Sequence, residues 1–392
     1  MTLGLDRIEE LLHALGDPQR RVRAVQVVGT NGKGTTAVAL ARALELAGHP
    51  AGAYLSPHVY SYTERVMFRG EPVSEETFAA AMGEALDVAD EAGIPVSQFE
   101  LLTAGAVKAF RDAGLSWAVL EAGLGARYDA TSAAGAEAVV LTNVGLDHTE
   151  YLGPSVEEIA REKLASLAPG GLLVLGSEDP GVVEVARDES ERAGARLVRP
   201  ALGPDVTGRL HGLAPYAARN VALGVRAAEE VLGERFEEEV WERVAGESRL
   251  PARFEVHEVR GVPVVVDGGH NPPGLEAALA GMKSVYGDRP LGVVFGCLRD
   301  KDIRSMLSAL KREAHAITLT TAADERTAEP GWVSREFGPR DRGGRSAGVA
   351  SSAGEALDRA VEEMREVGGV VLVTGSLYTA TAVLPGLRRE QE

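Results

Sequence analysis

The chain of 392 residues contains a single cysteine, Cys297. One thiol forms no internal disulfide and supplies no cysteine cluster for a metal, so a reducing cytoplasm is the expected compartment. Long apolar runs are also missing: none approaches the ~18 consecutive residues that span a bilayer. Basic residues are outnumbered, 41 Lys and Arg against 58 Asp and Glu, for a net charge of −17. That balance argues against general affinity for nucleic acid or an anionic membrane surface, so an anionic ligand must be held by a local basic site. The opening segment MTLGLDRIEELLHALG is amphipathic and acidic, the pattern of neither a signal nor a transit peptide. There is no internal repeat and no low-complexity tail.

What is present is an alternation of short apolar strands and helical runs. Strands are expected at Val25–Val28, Gly52–Leu55, Trp117–Leu120, Ala138–Leu141 and Leu172–Leu175. Helices are expected near Thr35–Ala47, Glu75–Glu91, Glu100–Ala113, Val156–Leu167 and Pro215–Leu232. Such alternation predicts an α/β fold with a mostly parallel sheet covered by helices. A break at GESRLPAR, residues 246–253, is followed by a second alternation: Val262–Val266, Gly274–Val285, Leu291–Phe295, Ile303–Ala314, Ala316–Leu319, Ala353–Val367 and Val370–Val373. The expected domains are therefore 1–248 and a smaller α/β domain, 254–392, in keeping with a length above that of one typical core. Residues 322–352, rich in Gly, Arg and Asp, are expected to form a long surface loop.

The stretch VQVVGTNGKGTT, residues 25–36, carries the most information. A β-branched strand runs into a turn containing Gly29, Gly32 and Gly34, and Thr35 and Thr36 open a helical run. Backbone N–H groups and the positive helix end face an anion in such a turn, and Lys33 adds a full charge. A Cβ would block close approach of the backbone to phosphate oxygens. The spacing departs from GxxxxGK[ST], because Val27 stands where the first glycine belongs and Gly34 follows the lysine.

Ligands of open parallel sheets bind beyond the carboxyl ends of the strands. Here those ends deliver Ser56 with Pro57 and His58, then Glu121, then Thr142 and Asn143 with Asp147 and His148. Oxygen ligands with one imidazole suit Mg²⁺ or Mn²⁺ bound together with a nucleotide. In the helix from Val156, the apolar positions 156, 159, 160, 164 and 167 place Lys163 on the inward face. An inward ammonium is costly unless paired or neutralised, though a lysine can also snorkel to the sheet edge. In the second domain VPVVVD ends at Asp267, and GGHNPPG follows, with Asn271-Pro272-Pro273 starting a helix. Asp267 and His270 are expected to be exposed at its mouth, with Arg253 just upstream.

These segments resemble the folylpolyglutamate synthase/dihydrofolate synthase family of the Mur ligase superfamily. The resemblance runs from GLDRI through VVGTNGKGTT, YLSPH with ERV, LEAGLGARYDAT, TNVGLDHTEYLG, EEIAREK, LPARFEV, VDGGHNP and FGCLRDKDI to VTGSLY. It implies an N-terminal P-loop ATPase domain with a mostly parallel sheet and a smaller C-terminal Rossmann-like α/β domain. It further implies that Thr30, Asn31, Gly32, Lys33, Gly34, Thr35 and Thr36 hold ATP phosphates. Ser56, Glu121 and His148 match the family's ligands for one or two Mg²⁺ ions, and Lys163 matches a lysine carbamylated in the family. Asn220, Arg253 and Asp267 match nucleotide contacts, and His270 belongs to the same signature and is a candidate to orient reacting groups. Arg127, Tyr128, Asp129 and Ala130 match part of the pterin-substrate site. Three positions depart from the family pattern: Ala126 for Gly, Ser132 for Asn and Gly269 for Ala.

The activity implied is ATP-dependent addition of L-glutamate to a folate, and to dihydropteroate, through an acyl phosphate, by a cytoplasmic monomer that binds neither nucleic acid nor membrane. Three alternatives share the phosphate loop. Mur ligases acting on UDP-linked peptides generally carry a UDP-binding domain before that loop, and here 28 residues precede Gly29. A kinase leaves the second domain's signatures without a purpose. A non-catalytic nucleotide switch would turn ATP over slowly, with no dependence on an amine.

Overall fold

A computed structural model describes residues 4–208, 210–338 and 347–389. They fall into two compact units, Met1–Leu213 with Ala218–Arg249, and Ala214–Ala217 with Leu250–Glu392. No helix among the described residues is long and apolar enough to cross a membrane.

The first unit is built on strands β1 (Arg23–Val28), β2 (Ala51–Tyr54), β3 (Val66–Phe68), β4 (Glu71–Pro72), β5 (Trp117–Glu121), β6 (Ala138–Leu141), β7 (Leu172–Leu175) and β8 (Arg196–Val198). Among the described residues they form one sheet in the order β4-β3-β2-β5-β1-β6-β7-β8. The six strands from β2 to β8 in that order run parallel, and β3 and β4 add an antiparallel edge. Parallel strands buried on both faces read as continuous apolar runs, which is why β6 and β7 are legible as AVVL and LLVL. Val107 and Phe110 of helix Gln98–Asp112 pack with Tyr54 and Leu120. Ala160, Leu164, Val182 and Val185 pack with Val28, Leu141, Leu173 and Leu175. That helix starts with a reciprocal cap: Ser97 accepts from the Glu100 N–H, and the Glu100 carboxylate accepts from the Ser97 N–H.

The second unit holds β9 (Glu255–Val259), β10 (Val262–Val266), β11 (Leu291–Phe295), β12 (Ala316–Leu319), β13 (Ala347–Val349) and β14 (Val370–Thr374). Their order is β13-β12-β11-β14-β10-β9, parallel except for β9 against β10. Val265, Leu275, Leu279, Phe295, Met306, Leu310 and Leu372 share its core.

Two expectations need correction. The stretch 322–352 is not one loop: it contains helix Pro330–Phe337 and strand β13, while 339–346 lie outside the described residues. Glu329 caps that helix by accepting from the Gly331 and Trp332 N–H groups, and Val333 and Phe337 bury its apolar side. The helix from Val156 ends at Leu164 rather than Leu167. Helix Pro180–Ala193 and strands β3, β8 and β9 were not read from the sequence.

Candidate active site

The parallel register sets the site. Val27 pairs with Glu121, Tyr54 with Leu120 and Val28 with Leu141. The carboxyl ends of β2, β5, β1 and β6 are therefore neighbours on one edge of the sheet.

The loop after β1 is closed by its neighbours. Thr142 Oγ1 and Asn143 Nδ2 donate to the Asn31 carbonyl at 2.7 and 2.9 Å, and Asn31 N donates back to Asn143 Oδ1 at 3.1 Å. Thr30 N donates to the Asn143 carbonyl at 2.9 Å. Two glycines are obligatory here. A Cβ on Gly29 (φ 149°) would lie 1.9 Å from Thr142 Oγ1, and one on Gly32 (φ 82°) would lie 2.4 Å from Asn220 Nδ2. The following helix, Lys33–Leu46, therefore begins at the lysine itself. Gly34, Thr35 and Lys33 form its first turn, whose N–H groups have no intrahelical acceptor and are free to face an anion. Lys33 Nζ folds back to the Thr30 carbonyl at 3.3 Å, and Thr36 Oγ1 donates to the Asn220 carbonyl at 3.2 Å.

Ser56 and Glu121 are brought together: the Ser56 N–H donates to Glu121 Oε2 at 2.9 Å. The loop from Ser56 is fixed from within. Glu64 accepts from the N–H groups of Val59, Tyr60 and Ser61, and Arg65 Nε donates to His58 Nδ1 at 2.9 Å. Burial, then the Arg65 charge, hold the His58 imidazole below its ordinary pKa, which matches an Nδ1 that must be a lone-pair acceptor. His148 begins helix Thr149–Leu152 in a left-handed conformation, with Nε2 3.9 Å from Asp147 Oδ1. Among the described residues no group of three or more His, Cys, Asp or Glu is arranged to hold a metal. The expected ligand set contains only two residues of that kind, Glu121 and His148, beside the Ser56 hydroxyl. A hard divalent cation fits oxygen donors of this sort next to a phosphate cradle.

Lys163 is buried, 5% exposed, and Nζ donates to the Gly29 carbonyl at 2.9 Å, at the root of the phosphate loop. Burial first, then the Lys33 charge, push its pKa down to about 7, against the opposing pull of Asp147 and Asp129. Arg127 pairs with Glu162, the neighbour of Lys163, at 2.8 Å. Tyr128 is 51% exposed, whereas Asp129 and Ala130 are buried. Asp129 accepts from the Gly123, Leu124 and Thr131 N–H groups and the Thr131 hydroxyl. Burial raises its carboxyl pKa, and these four donors oppose that rise.

In the second unit Asp267 is buried, contrary to expectation, because both its oxygens are taken. Oδ2 accepts from the Tyr216 hydroxyl and the Phe254 N–H, and Oδ1 from the Gly269 N–H. Tyr216, whose pKa burial and Asp267 drive well above the ordinary phenol value, was missed because only the fold brings it to Asp267. Ala252 (φ 54°) and Phe254 (φ 53°) flank Arg253 in the left-handed region, which costs non-glycine residues about 1–3 kcal/mol each. The Ala252 N–H is held by Glu255 Oε2 and the Phe254 N–H by Asp267, so two carboxylates fix the backbone that presents Arg253. Asn271 caps helix Pro272–Tyr286 through the Gly274 N–H, and His270 Nδ1 lies 3.1 Å from the Gly268 carbonyl.

Comparison with known proteins agrees with this layout. Residues 252–377 match the model of the Mur ligase glutamate ligase domain. A dihydrofolate synthase/folylpolyglutamate synthase of Bacillus subtilis is 30% identical over 409 residues, covering 96% of this chain and 93% of the relative. The folylpolyglutamate synthase of Mycobacterium tuberculosis complexed with ADP superposes with a TM-score of 0.87 at 27% identity, covering 98% of this chain and 94% of that one. A bifunctional folylpolyglutamate synthase/dihydrofolate synthase of Yersinia pestis complexed with AMPPNP and Mn gives 0.85 at 28% identity, with 99% and 94% covered. The chain belongs to the folylpolyglutamate synthase/dihydrofolate synthase family, within the Mur ligases.

Proposed function

We propose that this chain is an ATP-dependent carboxylate–amine ligase that adds L-glutamate to a folate, and to dihydropteroate. The observation that carries the reading is the phosphate cradle after β1, closed by Gly29 and Gly32 and flanked by Glu121 bound to Ser56. Family membership supplies the acceptor and the amine.

A carboxylate is a poor acyl donor because oxide would have to leave. Phosphoryl transfer from ATP makes an acyl phosphate, the glutamate amine attacks its carbonyl carbon, and phosphate leaves. Lys33 and the N–H groups of Gly34 and Thr35 hold the transferring phosphoryl group and stabilise its charge. Ser56, Glu121 and His148 would hold Mg²⁺, which neutralises phosphate charge when bound. Asp129 and Ala130 shape the acceptor loop, Arg127 braces it through Glu162, and Tyr128 offers an exposed ring. Asn220 braces the phosphate loop at Gly32, and in the second unit Arg253, Asp267 and His270 are our candidates for a nucleotide contact and for orienting the incoming group. The two compact units support assigning nucleotide chemistry to 1–248 and the ligase role to 254–392. The acidic charge of −17 and the buried single cysteine support a cytoplasmic protein, which we read as a monomer free of nucleic acid and membrane.

The reading is tested by phosphate release from ATP with the acceptor and L-glutamate omitted in turn. Release requiring both supports it; release indifferent to the amine makes the protein a kinase or a switch. Glu121→Ala and His148→Ala should each raise the Mg²⁺ concentration for half-maximal rate by at least the roughly 10–100-fold typical of losing a group one step removed from a metal. Folate binding should change little. A Mg²⁺ titration that leaves both variants unchanged puts the ligands elsewhere.

A further inference from the structure

We propose that Gln26 is a positioning residue for this ligation, the junction through which β1 holds the Asp129 loop and the Lys163 helix in register; the proposal rests on the ligase reading above. Gln26 is fully buried in the middle of β1, between Val25 and Val27, three residues before Gly29. Its amide nitrogen donates to Thr131 Oγ1 at 2.7 Å and to Ser132 Oγ at 2.9 Å, and its oxygen accepts from the Ser166 hydroxyl.

With the Asp129 carboxyl ionised, the direction of every bond in this network follows. Thr131 Oγ1 donates to Asp129 Oδ1, and a carboxylate filled by three other donors only accepts. Ser132 Oγ donates to the Ala126 carbonyl at 2.6 Å, which also only accepts. Each hydroxyl has thus spent its proton, so the group facing both must bring two donors, and the amide oxygen must face Ser166. A chain of donors runs from Ser166 through Gln26 and Thr131 to Asp129, and Asp129 in turn holds the Gly123 and Leu124 N–H groups just beyond Glu121.

The other arm reaches Lys163. Ser166 lies three residues after that lysine and two past the end of its helix, so the end of the helix is tied down twice: by Lys163 to the Gly29 carbonyl just after β1, and through Ser166 to Gln26 within β1. Any chemistry at the Lys163 amine leaves the second tie in place. One side chain thereby sets both the acceptor-side loop and the lysine beside the phosphate loop, without touching either substrate.

Gln26→Glu keeps the shape and reverses the polarity. The Thr131 and Ser132 hydroxyls must then turn to donate to the new carboxylate and abandon Asp129 and Ala126. Gln26→Met removes the bonds and adds no charge, which guards against a misfolded Glu variant. Both should raise the acceptor KM by about tenfold or more, the size expected for buried polar partners lost, with the ATP KM within about twofold. Amide exchange at Gly123 and Leu124 should quicken while that of the Lys33–Leu46 helix is unchanged. Ser166→Ala should lower kcat and leave the acceptor KM alone. Unchanged acceptor KM and exchange in both Gln26 variants overturns the proposal, as does a parallel rise in both KM values, which marks general loosening. Should the wild type fail to ligate, the ligase reading falls, and the exchange experiment still decides whether Gln26 holds the loop.

Discussion

Lys33→Ala should cut the rate of ATP-dependent ligation by orders of magnitude while the protein stays folded. Its Nζ bonds the Thr30 carbonyl of its own loop at 3.3 Å, so its loss removes little that holds the unit together. On the ligase reading proposed above, the same ammonium would face the transferring phosphoryl group. Removing a preorganised charge-assisted contact there costs on the order of 2–4 kcal/mol in the transition state. That corresponds to a fall in kcat of roughly 30- to 1,000-fold. Thermal melting and steady-state rates measured on one preparation separate the two effects. Near-normal turnover would remove the loop from the mechanism.

Lys163→Ala should be comparably damaging, through a different chemistry. An amine of ordinary basicity is almost wholly protonated at neutral pH, whereas one shifted to about 7 is about half neutral. A neutral buried amine attacks the carbon of CO₂, loses a proton and becomes a carbamate. The modification would turn an inward cation into an oxygen donor beside the Gly29 carbonyl. Loss of activity in Lys163→Ala, partly restored by acetate or formate, supports the missing carboxylate. Full activity in the variant, or an electron-density map of the active enzyme with a bare ammonium at Lys163, refutes it. The unmodified protein gives a second readout. Its native Lys163 releases a proton near pH 7, while the unfolded chain holds that proton to about pH 10.4. Between those values the unfolded state binds more protons, so stability rises with pH; below about 7 that contribution is lost. In CO₂-free buffer, Lys163→Met should flatten the rise.

How much of this was legible depended on whether the signal was local. AVVL and LLVL are apolar runs bounded by turn residues, and they became β6 and β7 at the expected residues. Lys163 betrayed its inward face by helical period alone. The glycine turn was legible because only glycine tolerates the approach of Thr142 and Asn220. β9 was not: in EVHEV the exposed Val256 and the buried His257 invert the usual pattern. Gln26 was hidden for a related reason, since a polar residue inside a valine run says nothing about the hydroxyls that will meet it. Tyr216 and Glu255 gained their roles around Asp267 and Arg253 only through tertiary contacts. Composition misled at 322–352, where helix Pro330–Phe337 depends on the Glu329 cap and two buried apolar side chains.

The central claim is that ATP activates a carboxylate as an acyl phosphate for attack by glutamate, and oxygen-isotope transfer tests it most directly. The acceptor is labelled with ¹⁸O in the carboxylate to be activated, and the phosphate released during ligation is analysed by mass spectrometry. In this mechanism one carboxylate oxygen attacks the γ-phosphorus, stays bonded to it and departs with it when the amine displaces phosphate. The account predicts one ¹⁸O in the inorganic phosphate for each amide formed, with none in ADP and none released without L-glutamate. Amide formation with unlabelled phosphate, or label found in AMP, would contradict it.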